Sequence, residues 1–338
     1  MFNFKSHSRF GTFFLLVLAV IAASGAGCQQ REKQPGPPEK VTMAYSTAFN
    51  AVLVHIAFVN GYFTQEGLDA KLQAHAFGKL ALQAVIEGRA DVATVADTPV
   101  MFAIMDGKRI AILAAIQTSN RNEAIVARKG RGISEPSDLK GKRIGVTLGT
   151  TSDFFLDALL MAHGIDRTQV KIRDMAPNEM AAALSAGKID AASAFNPVVT
   201  QLQNSLGNKG STFYGETLYT ETFFVTAGQD FVKERPEAVR KLLRALIKAE
   251  IFVREHPDEA RRLVAEFLKA DKPILDKVWD VYNFEVTLNQ ALIVDLEDQT
   301  RWAMKYRLTA NKVMPNYLDF IHVDGLRAVK PGAVDIIQ

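Results

Sequence analysis

The stretch from Gly141 to Gly164, GKRIGVTLGTTSDFFLDALLMAHG, predicts a buried strand joined to an amphipathic helix through a loop rich in hydroxyl groups. The β-branched run from Arg143 to Thr147 is typical of a short central strand. Thr150 and Asp153 match the Ser/Thr-x-x-Asp/Glu signal that precedes many helices. The helix should therefore begin at Thr150 or Thr151.

The beginning of this helix predicts a binding site for an anion. A helix N-terminus leaves N–H donors unpaired and carries a partial positive charge. Thr150, Thr151 and Ser152, which we call the hydroxyl cluster, would add three alcohols to it and make a neutral site rich in donors. The alternative is that Thr150 only caps the helix and that water hydrates the other two hydroxyls. Gly164 lies where such a helix should end.

Composition is that of an ordinary globular protein with substantial cores. The chain has 338 residues, of which 48% are hydrophobic and 23% charged, so two compact domains are expected. Its formal net charge is +3, and loss of a leader with Lys5 and Arg9 leaves +1, which gives no general attraction to nucleic acid. The six histidines lack metal-ligand spacing, and a single cysteine permits no intrachain disulfide. We therefore predict no metal and no cofactor.

Residues 1–28 have the pattern of an export signal. Lys5 and Arg9 supply a charged start, and Phe13 to Ala23 is an apolar run of 11 residues, too short to span a membrane permanently. Small residues then precede Cys28, which is similar to the cleavage site of a bacterial lipoprotein. Cys28 would become the lipidated N-terminus and anchor an exported protein. The alternative is a secreted protein that is cut at a small-residue site and has an incidental cysteine.

Beyond the leader, the chain divides into a tether and two lobes. Residues 29–40, QQREKQPGPPEK, have three prolines and nothing that could join a core, which predicts an extended tether. Strands then alternate with helices, which favours α/β lobes with mostly parallel sheets and flanking helices. We predict that lobe 1 comprises residues 41–128 with 227–338, and that lobe 2 comprises residues 129–226.

An internal repeat supports two similar lobes. AVIEGRADVA contains Gly88 and Asp91, and AALSAGKIDAA contains Gly187 and Asp190, 99 positions further on. The shared order of these residues indicates duplicated strand and helix units.

Polar side chains follow the ends of the predicted strands in both lobes. Because parallel sheets bind ligands at the carboxyl ends of their strands, a cleft between the lobes should collect them. The candidate ligand-binding residues are Ser46, Thr47, Asn50, Asp97, Thr98 and Gln117 in lobe 1, and Thr150, Thr151, Ser152 and Asn196 in lobe 2. Asp97 could instead cap the following helix, and Gln117 could merely close a turn.

Several segments together resemble the substrate-binding proteins of ABC importers for nitrate, sulfonates and taurine, and the related thiamine-precursor-type domain. The segments are LQAVIEGRADVATVADTPVMFA, SDLKGKRIGVTLGTTSDFFLDALL, AGKIDAASAFNPVV, RPEAVRKLLRALIKA and HPDEA. The resemblance implies a two-lobed periplasmic-binding-protein fold of type II. It also implies that Thr150, Thr151 and Ser152 lie at the anion end of the pocket, with Asp97 and Thr98 at the opposite wall.

One segment departs from the family pattern. Many members have Trp, an acidic residue and Pro where this chain has Phe195, Asn196 and Pro197. The neutral amide of Asn196 cannot pair with a ligand ammonium as an acid could, which counts against taurine.

The sequence therefore predicts a non-enzymatic, monomeric, exported lipoprotein that binds a small sulfonate-like anion between two lobes. Its partners would be an ABC permease and the ATPase of that importer. One alternative is a thiamine-pyrimidine-type binding protein or enzyme on the same fold. Another is a sensory lipoprotein that presents its solute to a receptor.

Overall fold

Two five-stranded sheets of matching topology organise the computed structural model, which describes residues 1–3 and 37–337. The first sheet has the order β2-β1-β3-β10-β4, and the second has the order β7-β6-β8-β5-β9. The first sheet consists of β1 (Glu39–Ser46), β2 (Leu68–His75), β3 (Val92–Ala96), β4 (Ile110–Ser119) and β10 (Glu221–Gly228). The second consists of β5 (Glu123–Arg128), β6 (Arg143–Val146), β7 (Lys171–Asp174), β8 (Ala191–Phe195) and β9 (Gly210–Phe213).

Each sheet contains four strands that run one way and one that runs against them. β10 is antiparallel to both β3 and β4, and β5 is antiparallel to both β8 and β9. The remaining pairs, β1 with β2 and β3, and β6 with β7 and β8, are parallel. The prediction of mostly parallel sheets is therefore confirmed, and the matching strand orders agree with the predicted repeat.

The two antiparallel strands are also where the chain passes between the sheets. β5 follows β4 of the first sheet but lies in the second, and β10 follows β9 of the second sheet but lies in the first. The predicted boundaries place all of β5 in lobe 1 and residues 221–226 of β10 in lobe 2, whereas β5 lies in the second sheet and β10 in the first. We use lobe 1 for the first sheet with its helices and lobe 2 for the second sheet with its helices.

Helices flank both sheets. Those of the first part of the chain are α1 (Val52–Val59), α2 (Tyr62–Gln65), α3 (Gly78–Ile86), α4 (Asp97–Met105), α5 (Thr151–Ala162), α6 (Met180–Ser185) and α7 (Val198–Leu206). They are followed by α8 (Gln229–Glu234), α9 (Pro236–Glu255), α10 (Pro257–Leu268), α11 (Lys272–Val278), α12 (Ala291–Lys305) and α13 (Val323–Val329). Among the described residues, no helix combines the length and the apolar character that crossing a membrane would require.

Both faces of the second sheet are covered at its centre, which explains why β5 is apolar from Ala124 to Ala127. Along β5, Ile125 and Ala127 join one hydrophobic cluster, whereas Ala124 and Val126 join another. Successive side chains of a strand point to opposite faces, so the two clusters lie on the two sides of the sheet. Because apolar side chains cover both faces, the polar side chains gather at the ends of the strands.

The predicted leader lies almost entirely outside this description. Residues 4–36, which include Cys28 and most of the predicted tether, are not among the described residues. Export and lipid attachment therefore stay predictions from the sequence.

Candidate functional site

Helix α5 begins at the residue that follows Thr150, as predicted, but the Thr150 hydroxyl does not cap it. The hydroxyl donates to the carbonyl oxygen of Thr147 at 2.7 Å and lies 2.9 Å from Ser152 Oγ. Asp153 instead accepts a hydrogen bond from the Gly149 amide through Oδ2, at 2.9 Å. The start signal thus indicated the right boundary, while its polar groups stabilise the turn before the helix.

The beginning of α5 lines a small cavity to which both lobes contribute, and we call it the cleft cavity. Its volume is about 20 Å³, enough for about one water molecule. It is lined by Ser46, Ala48, Asn50, Phe77, Gly78, Lys79, Ala96, Pro99, Thr150, Thr151, Phe195, Glu221 and Phe223. A larger groove of about 330 Å³ shares Lys79 and Pro99 with this wall and extends past Gly149. The cleft cavity is therefore small, and a larger groove lies beside it.

Four of the ten predicted ligand-binding residues line the cleft cavity. They are Ser46, Asn50, Thr150 and Thr151. The wall does not include Thr47, Asp97, Thr98, Gln117, Ser152 or Asn196. Of these six, Thr47 is exposed and the other five are buried.

Two of the buried candidates already have partners of their own. Asp97 Oδ1 accepts from the Tyr219 hydroxyl at 2.6 Å and from the Thr98 amide at 2.7 Å. Asn196 Oδ1 accepts from the Thr200 hydroxyl at 2.9 Å. Contact between these side chains and a ligand stays a prediction.

Lys79 is a cationic residue of the wall that the sequence interpretation did not select. It lies in the first turn of α3 in lobe 1, and its Nζ donates to the carbonyl oxygen of Leu148 in lobe 2 at 2.8 Å. The ammonium therefore sits at the turn that leads into the hydroxyl cluster and adds a full positive charge there. Its position at the beginning of the helix that follows β2 is the signal that could have indicated it, because ligands bind beyond the carboxyl ends of parallel strands.

Three buried carboxylates, Asp97, Glu123 and Glu221, form what we call the carboxylate cluster. Their residues are 0%, 2% and 1% exposed. Asn122 Nδ2 bridges two of them, at 3.1 Å from Glu123 Oε1 and 2.8 Å from Glu221 Oε2. Within residues 37–337, no lysine, arginine or histidine forms an ion pair with any of the three.

Sequence reasoning missed Glu123 and Glu221 because they begin strands instead of ending them. Glu123 opens β5 and is paired with Phe195 at the carboxyl end of β8. Glu221 opens β10, whose Phe223 is paired with Ala96 at the carboxyl end of β3. The amino end of an antiparallel strand thus lies at the same edge as the carboxyl ends of its neighbours.

Burial without a counter-cation shifts the pKa of each member of the carboxylate cluster upward. Loss of hydration raises the pKa of Asp97 to about 6 and that of Glu123 to about 8. The pKa of Glu221 rises well above its ordinary value through burial and then through repulsion by Glu123 and Asp97. The Tyr219 hydroxyl opposes the shift of Asp97, and a hydrogen bond from Thr151 opposes that of Glu123. Protons are therefore held more tightly here than in water.

Comparison with known proteins adds a family match and several relatives. Residues 48–260 match the model of the family described as NMT1/THI5 like. A binding protein of Brucella abortus is 27% identical over 200 residues, which are 58% of this chain and 60% of that protein, so the match spans less than two thirds of its length. The taurine-binding periplasmic protein of Escherichia coli is 27% identical over 62% of this chain and 65% of that protein. A Bacillus subtilis protein named as aliphatic sulfonates-binding is 24% identical over 78% and 80%.

Solved structures match the fold over nearly their whole length. The alkanesulfonate-binding protein of Xanthomonas axonopodis pv. citri superposes with a TM-score of 0.75 at 17% identity, covering 85% of this chain and 99% of that one. The desulfurization enzyme DSZB superposes with a TM-score of 0.64 at 15% identity, covering 87% and 99%. The two-lobed periplasmic-binding-protein fold is thereby confirmed, and it is a fold on which both binding proteins and an enzyme are built.

Proposed function

From the premise that this chain belongs to the NMT1/THI5-like family, we propose that it binds a small sulfonate-like organic anion between its two lobes. The protein would be an exported lipoprotein that delivers this solute to the permease and ATPase of an ABC importer. Relatives named for taurine and aliphatic sulfonates support an anionic solute, and their names describe binding proteins instead of enzymes.

One observation carries the proposal: donors from both lobes meet at the cleft cavity. Lys79 comes from lobe 1, and Thr150 and Thr151 come from lobe 2 at the start of α5. An ammonium and the N–H groups of a helix N-terminus suit an anion, which offers only acceptors. The Thr150 and Thr151 hydroxyls would join them by exchanging their present bonds to the Thr147 carbonyl and to Glu123 for bonds to the anion. Because the donors belong to different lobes, an anion held by all of them would also hold the lobes together.

Hydrogen bonds from these groups could supply a large part of the binding energy that micromolar affinity requires. Micromolar affinity corresponds to about 8 kcal/mol, and hydrogen bonds to a charged group contribute roughly 1.5–3 kcal/mol each. Three or four such bonds could therefore supply much of the affinity in a cavity that excludes water. The cost of ordering the lobes reduces the total.

Export and anchoring rest on the leader and on the names of the relatives. The Escherichia coli relative is named as periplasmic, which agrees with the export signal over residues 1–28. Cys28 would carry the lipid, with residues 29–40 as the tether that holds the folded lobes away from the membrane. We further propose that the protein acts as a monomer.

Calorimetric titration of the purified chain with small sulfonates, nitrate and carboxylates tests the anion site. Thr151→Ala removes a hydroxyl of the cavity wall and should weaken binding by about tenfold, the loss expected for one hydrogen bond to a charged group. Thr64→Ala removes an exposed hydroxyl from α2, away from the cavity, and should leave affinity unchanged. Equal affinities for Thr151→Ala and the unmodified chain would reject this site.

A further inference from the structure

A second, larger groove lies on the face of β10 that points away from the cleft cavity. Glu221 and Phe223 line the cleft cavity, whereas Thr220 and Thr222, which alternate with them, line this groove. Residues 216–220, which lead from β9 back to β10, form one side of it, and α12 forms another. We call it the rear groove. Its volume is about 600 Å³, which is within the range of small-molecule sites.

One buried side chain of the rear groove has polar atoms without hydrogen-bond partners. Gln299 of α12 is 1% exposed, and neither its Oε1 nor its Nε2 is bonded to any group of residues 37–337. Its amide lowers the pKa of Asp97, as only an N–H donor can, so Nε2 faces Asp97 and Oε1 is the acceptor that has no donor nearby. Because an unsatisfied buried acceptor is costly, a ligand that brings a donor to Oε1 would stabilise this arrangement.

The charges of the rear groove favour a cation. Its carboxylates are Glu216, Asp295 and Asp298, and no lysine, arginine or histidine of the described ranges lines it. Glu216 pairs with Arg121 and Asp298 pairs with Arg301, but Asp295 forms no ion pair within residues 37–337. Burial and then repulsion by Asp298 raise the pKa of Asp295. Asp295 is therefore a half-buried carboxylate without a counter-charge.

The acceptors of the rear groove lie on facing elements. Asp295 and Gln299 are four residues apart on α12, so they lie on the same side of that helix. Thr118 of β4 and Thr222 of β10 are cross-strand partners, and both line the groove. A carboxylate and an amide oxygen from a helix thus share one space with two hydroxyls from a sheet.

The beginning of α12 does not offer its amides to an anion. The Leu292 and Ile293 amides donate to the carbonyl oxygens of Asn289 and Gln290, each at 3.1 Å. The Gln290 amide donates to Asp335 Oδ1 at 2.5 Å. Because these amides already have acceptors, the rear groove suits a ligand that brings donors of its own.

We propose that the rear groove is a second binding site, that its ligand is an aliphatic diamine, and that Asp295 and Gln299 hold one of the two ammonium groups. An ammonium has three donors, which suit a carboxylate, an amide oxygen and a hydroxyl such as that of Thr222. Three carboxylates in one groove suit two positive charges better than one. Phe154 of lobe 2 also lines the groove and offers apolar surface to the carbon chain.

Two further observations define this proposal. Among the described residues, no three acidic, histidine or cysteine groups are placed to hold a metal ion together, which favours an extended organic cation. The rear groove shares no lining residue with the cleft cavity, so the proposal does not depend on which solute the cleft binds.

Calorimetric titration of the purified full-length chain with three probes, at constant ionic strength, tests the class of ligand. The probes are 1,4-diaminobutane, 1,4-butanediol, which has the same carbon chain without charge, and magnesium chloride. We expect saturable binding of the diamine, and affinities for the diol and for Mg²⁺ that are lower by at least about tenfold, the loss expected without hydrogen bonds from an ammonium. Absence of diamine binding overturns the proposal, and so does equal affinity for the diol or for Mg²⁺.

A variant of Asp295 tests the position of the site. Asp295→Asn keeps the size of the side chain and removes its charge, so affinity for the diamine should fall by at least about tenfold. Glu297→Gln is the matched control, because Glu297 lies on the same helix but pairs with Arg301 at 2.8 Å and does not line the rear groove. It should leave the affinity as it is. Unchanged affinity in Asp295→Asn would place the diamine elsewhere, and equal losses in both variants would indicate general attraction to an acidic surface; either result overturns the proposal.

A variant of Gln299 separates binding from a structural role. Gln299→Met keeps the length of the side chain and removes both polar atoms, so affinity for the diamine should fall by about fivefold or more. The melting temperature without ligand should not fall, because the variant removes an acceptor that is unsatisfied in the folded chain. A lower melting temperature with unchanged affinity would show that Gln299 serves the fold alone, which would contradict its assignment to the site.

Discussion

At the scale of single residues, the carboxylate cluster couples the stability of the protein to pH. Burial raises the pKa of Glu123 from its ordinary 4.5 to about 8 and that of Asp97 from 3.8 to about 6. A group whose pKa is raised by folding stabilises the folded state below its unfolded pKa. That contribution is lost as the pH rises through the folded pKa. The carboxylate cluster should therefore lower the free energy of unfolding progressively as the pH rises from about 4 to about 8.

Glu123→Gln should stabilise the ligand-free protein more at pH 8 than at pH 6. One pKa unit corresponds to about 1.4 kcal/mol, so we expect the difference in unfolding free energy between the variant and the unmodified chain to grow by at least about 1 kcal/mol. The groups that face Glu123 are Asp97, Glu221, the Asn122 amide and the Thr151 hydroxyl, and none of them supplies a positive charge. Denaturant unfolding at pH 6, 7 and 8 measures the difference.

Comparison with a variant is necessary because other buried groups act in the opposite direction. Burial lowers the pKa of His55 from 6.5 to about 3, so its contribution to stability is present above pH 6.5 and lost at lower pH. His55 is retained in both chains and cancels in the difference. If the unfolding free energies of the unmodified chain and of Glu123→Gln changed in parallel with pH, Glu123 would not be the titrating group.

At the scale of secondary structure, Gly78 fixes the distance between α3 and β3. A Cβ atom at this position would lie 2.8 Å from Val95 Cα and 3.1 Å from the carbonyl oxygen of Thr94. Both are backbone atoms, so the clash can be relieved only if the helix moves. Phe77 and Lys79 flank Gly78 and line the cleft cavity, and their positions depend on this close approach.

Gly78→Ala should therefore both destabilise the protein and weaken solute binding. Overpacking at a closely packed contact typically costs about 1–3 kcal/mol, and displacement of Lys79 removes a charge from the anion site. Gly228→Ala is the matched control, since Gly228 has an ordinary φ of −65° and no heavy atom within 4 Å of an added Cβ. Thermal unfolding and calorimetric affinity should change for the first variant only. Unchanged affinity in Gly78→Ala would mean that the cavity does not depend on this contact.

Local sequence signals predicted the helices and strands well. They could not predict which strands pair, because pairing joins residues that are far apart in the sequence. Proline at the first helical position fixed α9 and α10 at their observed bounds, because proline suits that position and interrupts the preceding helix. The apolar run of β5 fits any buried strand, so the sequence could not show that it joins the second sheet. The same limit hid Glu221, since a site at strand ends is recognisable only when the direction of each strand is known. Ser46, Asn50, Thr150 and Thr151 could be predicted because each lies at or just beyond the carboxyl end of a parallel strand.

At the scale of the whole molecule, a buried contact between α5 and α12 holds the two lobes together. Asp157 lies on α5 in lobe 2, and its Oδ2 accepts a hydrogen bond from Trp302 Nε1 of α12 at 2.6 Å. Arg167 joins Asp157 to Asp153 with ion pairs of 2.5 Å and 2.9 Å, and its side chain is 11% exposed. The Trp302 ring also packs edge-on against Phe154, with centroids 5.3 Å apart. Trp302, Asp157 and Phe154 are not part of the wall of the cleft cavity, so their contacts can hold the lobes together without touching the solute.

Loss of this contact should speed release of the solute. Trp302→Phe keeps a ring against Phe154 but removes the indole donor, and a hydrogen bond to a charged group is worth roughly 1.5–3 kcal/mol. If the bond forms only when the lobes are together, that energy appears as an increase of about tenfold or more in the dissociation rate constant, measured by stopped-flow displacement of bound probe. Trp279→Phe is the matched control, because Trp279 is equally buried in the same core but packs against Phe284 instead of donating to Asp157. A dissociation rate that changes equally in both variants would mean that Trp302 stabilises lobe 1 alone, and the lobes would then be held together by the solute and Lys79.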